Sequence, residues 1–168
     1  GTGTLTLEGG KVRSMAGART ISNDLVFAGN MTMSGSHALT FSGNVNLGGL
    51  DRIIDNSINS DLTFSGIISN GSITIGGSAG TGAVVLSGNN TYTNTTISNS
   101  NTLSIASDAS LGSGTVTLNG AGAVLKVTGA TTIDNAMRVG SSGGKIENTE
   151  AATLSGVVSG TGAFTKSG

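Results

Sequence analysis

The chain has 168 residues, with 8 basic and 9 acidic side chains, and its net charge of -1 offers no field for a polyanion such as a nucleic acid. Charged residues are 10% and aromatics 3%, while 29 glycines together with Ser, Thr and Asn fill more than half the positions; yet 36% of the residues are apolar, which does not fit a disordered chain. With no Cys a disulfide scaffold and a thiolate metal site are excluded, and with no Pro a linker or mucin-like stalk is disfavoured against a continuously hydrogen-bonded sheet.

In chain order the apolar residues alternate in short bursts: Leu5/Leu7, Leu25/Phe27, Met31/Met33, Leu39/Phe41, Leu62/Phe64, Ile73/Ile75, Val84/Leu86, Leu103/Ile105, Val116/Leu118 and Leu125/Val127. Thr and Ser stand between them, and each burst ends in Gly or Asn, residues that accept the positive φ of a sharp corner. The pattern predicts short strands and no helix beyond one turn near Ser107–Leu111. The expected core is the inward member of each burst: Leu5, Leu7, Leu25, Phe27, Leu39, Phe41, Leu62, Phe64, Ile73, Ile75, Leu86, Leu103, Ile105, Val116, Leu118, Leu125, Val127 and, near the end, Phe164.

The bursts also repeat. Leu39-Thr-Phe-Ser-Gly43 returns as Leu62-Thr-Phe-Ser-Gly66 after 23 residues, with Leu25-Val-Phe-Ala-Gly29 as a looser copy. Gly1–Leu7 is echoed by Gly80–Leu86, and Ser65–Ser69 by Ser155–Ser159. Such intervals are those of a solenoid, and the expected fold is an all-β parallel β-helix of about seven to eight coils, one continuous domain made of two cassettes, 1–79 and 80–168. A Greek-key sandwich has no need of a local period. Neither end carries a polar cap, so the expectation is a segment of a longer array. No apolar run is long enough for a membrane helix, and Gly1–Leu7 does not resemble a signal peptide, so neither direct membrane insertion nor a self-carried export address is expected.

The stretch Gly80-Thr-Gly-Ala-Val-Val-Leu-Ser-Gly-Asn-Asn-Thr-Tyr-Thr-Asn-Thr-Thr-Ile97 resembles the autotransporter-associated β-strand repeat of type V secreted passenger domains. Leu111–Gly120 is similar to the segment that follows it in that family, and Ser155–Gly168 to the stretch that precedes the next copy. The matching positions are Gly80, Gly82, Gly88, Asn90, Thr91, Tyr92 and Thr93, then Gly160, Gly162 and Lys166. Asn94 and Asn101 stand where the family has glycines, as the next best residues at a left-handed corner. Gly10-Lys-Val-Arg13 departs further, marking an irregular coil or a small excursion. The resemblance implies a right-handed β-helical passenger at a bacterial cell surface or secreted, with an outer-membrane barrel elsewhere in the full chain. It implies a structural, non-enzymatic role in secretion and display, with neighbouring coils as the main partners. Phage tail fibres share the composition.

Other chemistries have thin support. His37 is the only histidine, too little for a catalytic triad or an imidazole metal site. A β-helical polysaccharide lyase or hydrolase would need paired carboxylates, and Asp51, Arg52 and Asp55 with Asp61 are the richest cluster. Alternation puts Asp51 and Asp55 on one side but about 13 Å apart, beyond a glycosidase pair. Glu147 and Glu150, beside Lys145 and Asn148, are the candidate calcium turn, without the acidic repeats such turns use. Tyr92 is expected at a corner, covering the coil edge and bonding through its hydroxyl. The pairs Thr4/Thr6, Thr91/Thr93 and Thr115/Thr117 would bind ice only if aligned. No cofactor is expected; the alternative function is an adhesin whose Thr, Asn and Tyr92 stripes meet a host surface or glycan.

Overall fold

A computed structural model describes all 168 residues, Gly1–Gly168. Short alternating strands with corner residues every few positions pair edge to edge with the next turn and turn their apolar faces to a shared interior, and the chain winds into a parallel β-helix of eight turns. Each turn visits three sides. The first carries Leu5–Leu7, Leu25–Phe27, the starts of Val45–Ile58 and Ile68–Gly76, then Thr131–Ile133 and Ala152–Leu154. The second carries Gly10–Ser14, Met31–Gly35, the remainders of the two long strands, Thr95–Ser98, Val116–Asn119, Met137–Val139 and Val158–Gly160. The third is the most regular, an eight-strand parallel sheet running from Arg19–Ile21 through Leu39–Phe41, Leu62–Phe64, Val84–Leu86, Thr102–Ile105, Val124–Val127 and Gly144–Asn148 to Phe164–Ser167.

Register explains the verbatim repeat. Leu39 pairs with Leu62 and Phe41 with Phe64, so the copied pentapeptides are adjacent rungs of the third side, and the two phenyl rings stack at 5.2 Å. The looser copy belongs elsewhere: Leu25–Phe27 lies on the first side, pairing with Leu5–Leu7, although Phe27 still meets Phe64 edge-on across the interior. The longer echoes are also out of phase. Leu5 is on the first side and Val84 on the third; Ile68 opens a first-side strand and Val158 a second-side one. All three sides accept the same alternation and the same corners, so likeness of sequence does not specify a side. Pairing crosses from Leu62–Phe64 to Val84–Leu86 without a break at the 79/80 boundary.

A single cluster of 30 buried residues fills the shaft. It holds every expected core residue except three in the first and last turns: Leu7 is half-buried, Leu5 is 39% exposed and Phe164 is 38% exposed, because no rung covers them on one side. Ile54, Ile58, Leu111 and Ile146 join the core although they lie outside the bursts. In the last turn Lys166 takes the register place beneath Ile146, in the column that begins at Arg19, and its Nζ donates to Asn148 Oδ1 at 2.7 Å.

Three further expectations are corrected. Gly10–Ser14 is a regular strand in unbroken register with Met31–Gly35; the irregular coil lies instead between Asn46 and Leu50, where Val45–Ile58 shifts register against its neighbour and exposes Leu50. Asn94 and Asn101 are not left-handed, whereas Asn70 and Asn99 are, each with φ of 59°. Asn94 acts through its side chain, accepting the Thr115 N–H at 3.0 Å. The corner glycines Gly43, Gly66 and Gly88 are likewise not at positive φ: a Cβ at Gly66 would overlap the Gly43 carbonyl oxygen, and one at Gly88 the Gly66 oxygen. Close approach of successive turns, rather than dihedral freedom, requires glycine in that column. The helical turn near Ser107 is present as the short 3-10 segment Asp108–Ser110.

Candidate functional site

The motif residues Asn90–Thr93 cross the first side where the strand gives way to loop, and they alternate. Asn90 and Tyr92 turn inward and are buried, while Thr91 and Thr93 face solvent. Tyr92 is therefore not a covering for the coil edge, as its place in an Asn/Thr run suggests, but the bulkiest side chain in the core, at 0% exposure. The hydroxyl bond is made: Tyr92 Oη lies 2.9 Å from Thr95 Oγ1 and donates to the Ser110 carbonyl at 3.3 Å. Thr95 Oγ1 donates in turn to the Leu111 carbonyl, and Asn90 accepts the Ile68 N–H at 2.8 Å while donating to the Ser110 carbonyl. Burial pushes the Tyr92 hydroxyl pKa well up, against a smaller opposite pull from Thr95. This network closes on backbone groups and leaves no stacking face for a ligand.

The other motif positions also serve the frame. A Cβ at Gly80, Gly82, Gly160 or Gly162 would collide with a carbonyl oxygen of the preceding turn, of Ile58, Ser60, Val139 and Gly140 respectively.

The carboxylates of the enzymatic candidate are spread rather than gathered. Asp51 and Asp55 do share an outward register, pairing with Ser72 and Gly76. Asp55 Oδ1 accepts from Ser57 Oγ and the Ser78 N–H, and Asp61, past the next corner, accepts the Ala83 N–H at 3.1 Å. Arg52 donates through Nε to the Leu47 carbonyl. At the calcium candidate Lys145 pairs with Glu147, and Asn148 spends its oxygen on Lys166. No three His, Cys, Asp or Glu side chains are grouped to hold a metal ion. His37 Nδ1 lies 3.0 Å from the Ser36 hydroxyl at a corner.

The Thr-x-Thr pairs fall on different sides. Thr4 precedes the first-side strand that holds Thr6, Thr91 and Thr93 lie on the first side, and Thr117 is on the second. The threonines that do align are Thr132 and Thr153 on the first side, Thr74, Thr96 and Thr117 on the second and Thr20, Thr40 and Thr63 on the third. Asp108 is a titratable group the sequence did not single out: partial burial raises its carboxyl pKa, the Asp134 N–H bond opposes this, and the Asp134 carboxylate adds to the rise.

One concavity exists, a shallow groove of about 230 Å³ at the corner that leads into the first side. Thr4, Asp24 and Asn44 stack along it from three successive turns, and Val26, Asn46 and Ser69 line its other flank. Sequence alternation could not find it, since a corner column becomes visible only when the turn length is known at every rung. No helix is long and apolar enough to cross a membrane. Neither the family models, nor the curated proteins, nor the solved structures contain a match to this chain.

Proposed function

We propose that this chain is a non-enzymatic passenger segment of a bacterial autotransporter-like surface protein, a stiff β-helical stalk that supports secretion and display. The observation that carries the reading is the unbroken parallel register of the third side over eight turns. Pairing of this kind adds one turn at a time to an existing edge. Each added turn buries side chains such as Phe41, Leu103 and Leu125, every one of them contributing about 1.5–3 kcal/mol before the entropy of ordering is subtracted.

Folding outside the cell would then bias the chain against sliding back through a translocation pore. The outer faces suit the passage: charge is sparse, and the outward positions are mostly Ser, Thr and Asn. In the full chain the partner would be an outer-membrane barrel, and the segment would stand at the cell surface.

The test is export of the passenger with Leu103→Asp, which sets an unpaired carboxylate in a fully buried rung. Surface-exposed protein should fall sharply, with chain held in the periplasm. Export at the unmodified level would overturn the proposal.

A further inference from the structure

Beyond its role as a stalk, we infer that the groove along the Thr4–Asp24–Asn44 corner is a binding site for an uncharged, hydroxyl-rich ligand with the chemistry of a neutral sugar. Accounting for donors and acceptors leads there. Asp24 Oδ1 accepts the Asn44 N–H at 2.7 Å, Asn44 Oδ1 accepts the Ile67 N–H at 2.9 Å, and Asn46 Oδ1 accepts the Gly48 N–H and Asn70 Nδ2. One atom of each side chain is thus fixed to the frame. The other, Asp24 Oδ2, Asn44 Nδ2 and Asn46 Nδ2, has no protein partner, and neither has the Thr4 hydroxyl.

The groove therefore presents amide donors and a carboxylate acceptor, held in place before any ligand arrives. A sugar hydroxyl both donates and accepts, and matches such an alternation. Because the side chains are already oriented, little rotamer entropy remains to be lost on binding. Val26 supplies a small apolar patch for the C–H face of a ring.

Other ligand classes fit less well. The backbone beside the groove is committed between turns, Leu5 N–H to Asp24 O, Leu25 N–H to Asn44 O and Val45 N–H to Ile67 O, so no strand edge is free for an extended peptide. Asp24 would repel a phosphate or a sugar acid, and it is the one carboxylate lining the groove, too few for a calcium site. The volume is below the usual range for a drug-sized ligand, about 300–1,000 Å³, so the site takes about one ring at a time, weakly.

The experiment is an amide-resolved NMR titration of the whole chain with D-galactose, and separately with D-galacturonate. Asn44→Asp and Asn46→Asp keep the oxygen that holds the frame and remove the donor; Asp24→Asn keeps Oδ1 and removes the charge. Galactose should give saturable shifts confined to Asn44, Asn46, Ser69 and their neighbours, weakened about tenfold or more in the Asn44→Asp/Asn46→Asp double variant. Galacturonate should bind several-fold more weakly than galactose to the unmodified chain, and Asp24→Asn should close that gap. The site assignment is overturned if galactose produces no saturable shift up to its solubility limit. It is equally overturned if the double variant, with its remaining spectrum unchanged, binds as before, or if galacturonate binds as tightly as galactose.

Discussion

Tyr92 shows what a single residue carries in this fold. Its ring is enclosed and its hydroxyl sits between Thr95 and the Ser110 carbonyl, so Tyr92→Phe should lower stability by about 1–2 kcal/mol in a urea titration. The pH dependence has a definite sign. The folded hydroxyl has its pKa raised above the unfolded value of about 10, so the unfolded chain loses its proton first and stability falls as pH rises beyond about 10. Below that pH the contribution is complete, and Tyr92→Phe should remove the alkaline loss; an identical alkaline transition in the variant would contradict the assignment. The corner glycines make a second case. Gly66→Ala forces a methyl group against the Gly43 carbonyl and should cost more than about 2 kcal/mol, whereas Gly3→Ala, with nothing near its Cβ, should be neutral in the same titration.

At the scale of the strand, value depends on the rung rather than on the residue type. Leu103 lies between Val84 and Leu125 on the third side and is fully buried, so Leu103→Ala should cost about 2–5 kcal/mol. Leu5 pairs on one side alone and is 39% exposed, and Leu5→Ala should cost under about 1 kcal/mol. Equilibrium unfolding of the two variants checks the contrast. The long strand Val45–Ile58 teaches a related point: its register shift between Asn46 and Leu50 accommodates a longer turn by letting Gly48, Gly49 and Leu50 project, while Ile54 and Ile58 stay in the shaft.

Across the whole molecule, a stack in which each turn touches only its neighbours should loosen from the ends. Amide hydrogen exchange should be slowest at Leu62–Phe64, Val84–Leu86 and Thr102–Ile105, and fastest at Leu5–Leu7 and Phe164–Ser167. Uniform protection along the stack would mean a single cooperative unit instead.

The alternation of Leu, Ile, Val and Phe with Thr and Ser, punctuated by Gly and Asn and returning after 23 residues, determined by itself that this chain stacks as a parallel β-helix and many of the residues that fill it. That information is local: period two fixes which side chains point inward, and the 23-residue recurrence sets the length of a turn. Which side each burst occupies was decided only by the tertiary structure, because the three sides obey the same pattern and turn lengths vary. The same reason hid Tyr92, whose Asn/Thr neighbours read as a surface corner, and the groove, whose residues come from separate turns. A column along the axis exists only once every turn has closed.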